Sequence, residues 1–85
     1  MTTALGGAGP SISTQIRDAI RNGLPGAEVQ VTPGSPGHFG ISVRWADFAG
    51  KNRLACQRLV YKAIAHLMSG DRAPLHAVDR LETSV

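Results

Sequence analysis

The chain is short of the features that most quickly place a protein in a class. It has one cysteine, Cys56, in 85 residues, so no internal disulfide can staple the fold. That fits a reducing compartment. No stretch approaches the ~20 consecutive apolar residues of a membrane span. The opening MTTALGGAGP lacks the basic start and apolar run of a secretory leader. A cytoplasmic protein, without membrane contact, is therefore expected. There is no P-loop, no Cys-x-x-Cys, no Ser-His-Asp motif and no pair of carboxylates in a predicted cleft. An enzyme is not expected. Charged residues are only 18% and hydrophobic ones 42%, which excludes disorder of the whole chain.

What is there suffices for one small domain. Such a domain is stable by about 5 kcal/mol. Nine Lys and Arg against six Asp and Glu leave a net charge of +3. That suits nucleic acid or an acidic protein partner and demands neither. Residues 1–10 are small and Gly-rich and are expected to form a flexible tail. Residues 11–85 are expected to form the single domain.

From Ser11 the pattern becomes helical. Ile12, Ile16, Ile20 and Leu24 recur every four residues, with Ala19 beside them. Ser11 or Ser13 can cap the start, and Gly23 and Pro25 close the helix. AEVQVT then alternates, with Val29 and Val31 on one side. After the turn TPGSPG, Phe39, Ile41, Val43 and Trp45 fall on one face. His38, Gly40, Ser42 and Arg44 fall on the other, toward solvent. Two alternating runs joined by a Gly/Pro turn read as an antiparallel hairpin. Residues around Phe48 suggest one short helical turn, and Asn52 is a plausible N-cap. Over Arg53 to Met68, Cys56, Leu59, Val60, Ala63, Ile64 and Leu67 face inward; Arg53, Gln57, Arg58, Lys62 and His66 face out. A last strand is expected from Leu75 to Glu82, on weak alternation. The order is α-β-β-α-α-β: an α+β fold of two layers, a three-stranded sheet with the helices packed on one face.

Gly34-Ser35-Pro36-Gly37 spells G-x-x-G, the form of a nucleic-acid clamp. That clamp joins two helices, whereas this stretch joins two strands, and Pro36 removes a backbone donor. Between the short and long helices stands Ala49-Gly50-Lys51-Asn52, with one glycine. Gly6-Gly7-Ala8-Gly9 lies in the tail. A hairpin turn is the simpler account of Gly34 to Gly37. Arg44, Lys51, Arg53, Arg58 and Lys62 fall within nineteen residues that hold one acid, Asp47. They are either a solvated helix face or a surface for a phosphate backbone or an acidic protein. His66 stands near a helix C-terminus, which favours a cationic ring, and Cys56 reads as a small core residue. His38 and His76 each stand at a strand end, where a rigidly held ring can serve as a metal ligand. Neither belongs to a short metal-spacing motif.

Three stretches, HFGISV, DFAGKNRLACQRLVYKAI and LHAVDRLET, resemble the BolA family in order and spacing, over about Ile16 to Thr83. The most telling pieces are His38-Phe39, Phe48-x-Gly50, Arg58-Leu59-Val60-Tyr61 and His76-Ala77. The short turn is like that of the IbaG subgroup. The resemblance implies a class II KH-like fold and a mixed sheet. It implies pairing with a monothiol glutaredoxin around a shared [2Fe-2S] cluster, not one held tightly by the isolated chain. In that arrangement the glutaredoxin side brings its cysteine and a glutathione thiolate. The BolA side brings the histidine of the His-Ala motif, here His76, and in many members a second His or Cys from the hairpin loop. The resemblance also implies DNA-binding transcriptional regulation and stress response, with the long helix as the contact.

This sequence departs from the pattern in three places. The loop TPGSPG holds neither Cys nor His. Ser35 stands where a loop ligand would align, and His38 is the nearby substitute. The Pro-Glu-Trp-like extension common after the last strand is not seen beyond Thr83, and Cys56 takes a helix position often basic. Two functions follow as expectations: a cluster-handling adaptor, or a KH-like DNA binder using its basic helix. A plain interaction module, including a weak homodimer, is the third.

Overall fold

The computed structural model describes residues 11–85. The expected tail, and with it Gly6-Gly7-Ala8-Gly9, lies outside the described residues.

Helix α1 spans Ile12–Gly23. Its N-cap is Ser11, whose hydroxyl accepts from the Thr14 N–H at 3.1 Å. This satisfies one of the orphan donors of the first turn. Ile16 and Ile20 are fully buried, and Leu24 continues their face just past the helix end. Strand β1 runs Glu28–Pro33 and β2 runs His38–Arg44, paired antiparallel with Val31 opposite Ile41. The turn between them is laced by Gly34 N–H to His38 O at 2.9 Å and His38 N–H to Ser35 O at 2.8 Å. Gly34 to Gly37 is thus a hairpin turn.

Phe39, Ile41 and Val43 are buried under the helices, as the alternation requires. Trp45 departs from the expectation. It lies just past the strand and is half-buried. Its indole N–H needs an acceptor, and it donates to Pro25 O at 2.8 Å. Its ring meets Phe48 edge-on at 5.3 Å. Ser42, expected exposed, is half-buried because β2 is the central strand and Gln30 and Glu82 flank it.

The expected short helix is a single 3₁₀ turn, Ala46–Phe48, so the described residues hold two α-helices in the order α-β-β-α-β. Helix α2 spans Arg53–Met68, capped by Asn52, whose side-chain oxygen accepts from Ala55 N–H at 2.8 Å. Cys56, Val60, Ile64 and Leu67 bury its inner face; Gln57, expected outward, is half-buried.

Strand β3 spans Ala77–Ser84 and pairs parallel with β2, giving a mixed sheet in the order β1-β2-β3. It starts two residues later than Leu75 and ends two later than Glu82. Leu75 is fully buried before the strand, its N–H donating to Leu67 O at 3.1 Å. The register shifts at Phe39/Gly40: Phe39 faces Val78, but Gly40 faces Arg80. Asp79 is the extra residue of a β-bulge. Val78 and Leu81 both pack on the core, three positions apart instead of an even number. The bulge explains why the alternation of this strand is weak in the sequence.

Candidate functional site

The hairpin end and the start of β3 form one corner. His38 opens β2 and its Cα partner is Ala77, so His38 and the His76-Ala77 pair come to the same sheet end. The Gly37 carbonyl accepts from two consecutive N–H groups, His76 at 2.8 Å and Ala77 at 3.1 Å. Leu75, fully buried, anchors the chain on the other side of His76. The His76 side chain itself is exposed. It is a ring on solvent, carried by a backbone held from both sides.

His38 is less free. Its Nδ1 lies 3.0 Å from an Asp79 carboxylate oxygen, with both side chains about half exposed (41% and 56%). A carboxylate on Nδ1 favours the tautomer that leaves Nε2 as the lone-pair nitrogen. The partner reaches His38 because the bulge places Asp79 outside the regular alternation of β3. Nothing in the local sequence pattern signals this pair, since the two residues are forty-one positions apart.

The chemistry of the donors decides what the corner can hold. Imidazole suits iron as a ligand. Ser35, in the turn, offers only a hydroxyl. Among the described residues, no three His, Cys, Asp or Glu side chains gather into a metal-holding group. His76 and His38, brought to one sheet end, are two imidazole donors and not by themselves a complete ligand set. Cys56 is elsewhere, buried on the inner face of α2 with Sγ 3.9 Å from Lys51 O and 4.0 Å from Phe48 O.

The basic residues do not form one surface. Arg44 lies on the open sheet face and donates from Nη2 to both carboxylate oxygens of Glu28, at 3.1 and 3.0 Å. Lys51 donates to Asp47 O at 2.8 Å beside the 3₁₀ turn. Arg53, Arg58 and Lys62 lie on α2, exposed and without an ion-pair partner among the described residues. His66 continues their line in the last turn. Leu54 and Tyr61 are also exposed on α2, at 54% and 40%. Their seven-residue spacing puts them on one side with Arg58 between them. That spacing was available in the sequence but lies off the apolar face. No helix among the described residues is long and apolar enough to cross a membrane.

A sequence model of the family described as BolA-like protein matches residues 19–83. Comparison with curated proteins finds no significant match. Among solved structures, a bolA protein homologue from Coxiella burnetii is 30% identical, with a TM-score of 0.72 over 89% of this chain and 92% of that one. Yeast Fra2 is 25% identical, with a TM-score of 0.64 over 86% of this chain and 77% of its own. The BolA domain of SufE1 from Arabidopsis thaliana shares the fold at 22% identity, with a TM-score of 0.66 over 91% and 95% of the two chains.

Proposed function

The chain belongs to the BolA-like protein family, and from that premise we propose that it is a cytoplasmic adaptor for a monothiol glutaredoxin, contributing histidine to a shared [2Fe-2S] cluster. The observation that carries this reading is His76. It matches the histidine of the family's His-Ala motif, its ring is exposed, and the Gly37 carbonyl and buried Leu75 hold its backbone. A ligand ordered in advance loses little entropy on binding. His76 would hold the cluster, and His38, kept in one tautomer by Asp79, is the candidate for a second contact. When bound, such a cluster supplies an iron centre whose potential rises as imidazole replaces thiolate. The chain's own part is to present imidazole nitrogens at the end of its sheet. Its role is recognition and ligation, with no catalysis of its own.

The test mixes the protein with a glutathione-loaded monothiol glutaredoxin, iron and sulfide, and records visible absorption and circular dichroism. A spectrum distinct from that of glutaredoxin alone is expected. It should be lost or altered in His76→Ala. An unchanged spectrum in that variant removes the ligand role.

A second reading, a DNA-binding regulator, draws on the unpaired Arg53, Arg58 and Lys62 of α2. Such a face would grip phosphate without reading sequence, so its binding should fall steeply with salt.

A further inference from the structure

Gly37 and Gly50 share a backbone angle and differ in what surrounds them. Both have φ of +81°, a region side chains rarely adopt. A Cβ on Gly50 would meet nothing within 4 Å. A Cβ on Gly37 would lie 2.5 Å from Nδ1, 2.7 Å from Cγ and 3.1 Å from Cβ of His76. The imidazole therefore rests its Cβ–Cγ–Nδ1 edge against the bare Cα of Gly37. Nε2, across the ring from the Cγ–Nδ1 bond, lies farther from the Gly37 position. The same glycine holds the main chain of His76 and Ala77 through its carbonyl.

We propose that Gly37 is a positioning residue for His76. Its missing side chain is the space in which the ring lies, and that placement presents Nε2 to a ligand while Nδ1 faces the turn. The use of this placement rests on His76 being a cluster ligand; the placement itself belongs to the isolated chain. A methyl at Gly37 leaves the ring no room in its present rotamer. The ring is exposed, so a swing into solvent relieves the contacts at Nδ1 and Cγ and removes the aim of Nε2, while the contact at Cβ stays with the backbone.

The experiment uses three chains: the parent, Gly37→Ala and Gly50→Ala. Gly50→Ala carries the backbone strain of φ +81° alone and should lower Tm by about 4–8 °C or more. Side-chain couplings of His76 and proton contacts between its ring and the Gly37 Hα atoms are read by NMR without any cluster. The parent should show one χ1 rotamer with those contacts, and Gly50→Ala should keep both. Gly37→Ala should show a different or averaged rotamer and a several-fold lower yield of the mixed cluster with glutaredoxin. A parent ring already averaged among rotamers overturns the proposal, and this result does not depend on whether Gly37→Ala folds. So does a Gly37→Ala variant that keeps the parent's rotamer, or one that moves the ring yet forms the cluster normally. If His76→Ala itself leaves the cluster intact, the ligand reading fails, and the couplings still decide whether Gly37 sets the ring.

Discussion

The corner at Gly37, His38, His76 and Asp79 and the outer face of α2 are both polar surfaces, yet they are built in opposite ways. At the corner, main-chain bonds from His76 and Ala77 converge on one carbonyl, and His38 has a carboxylate at 3.0 Å. On α2, Arg58 and Lys62 stand on a regular helix with no ion-pair partner among the described residues. The corner can fix the direction of a lone pair. The helix face can offer only charge, adjustable and screened by salt. A held, directional surface and a loose, charged one need these two different designs, and here they stand on separate elements.

The largest effect should come from beneath the corner. Phe39 is next to His38 and buried in the core. Phe39→Ala should cost about 3–5 kcal/mol, much of the stability of so small a domain. Urea denaturation measures it, and a parent-like midpoint would mean that β2 is not the core strand described.

At the corner's surface, function and stability should separate. His76→Ala should change stability by less than about 0.5 kcal/mol, as an exposed ring contributes little packing. The same change should abolish or shift the visible spectrum of the mixed cluster. His38→Ala in that assay decides whether the second ring is a ligand: a further loss assigns it, and no loss leaves His76 as the chain's single donor.

On α2 the expected effects are smaller and of another kind. Arg58→Ala and Lys62→Ala should each weaken duplex binding on all sequences alike and reduce the salt slope by about 1. Neither should alter the mixed-cluster spectrum. Titrations at several salt concentrations check this. Binding that ignores both salt and substitution would end the regulator reading and leave the corner as the working surface.

The smallest effect should be that of Asp79→Asn. A half-exposed histidine–carboxylate contact contributes about 0–1 kcal/mol, so thermal melts should barely move. Imidazole NMR should nonetheless show His38 losing its preference for one tautomer. If the tautomer stays, Asp79 does not orient the ring.

Local pattern alone determined most of the scaffold. The four-residue recurrence of Ile12, Ile16 and Ile20 after Ser11 specifies α1, and Asn52 followed by the apolar face from Cys56 to Leu67 specifies α2. The alternation of Phe39, Ile41 and Val43 specifies β2, and Gly37 before it allows the turn. These are interactions among neighbours in the chain, so a period of 3.6 or 2 records them directly. His76 was legible as a candidate through its motif. The tertiary structure alone decided the rest. Docking of β3 parallel to β2 created the bulge at Asp79, hid the alternation of that strand and sent Asp79 to His38. It laid the His76 ring on Gly37, and hairpin pairing drew Arg44 away from the helix cations to Glu28. Each of these contacts joins residues sixteen to forty-one positions apart. No periodicity carries such information, because the partner is chosen by where the sheet closes and not by its place in the chain.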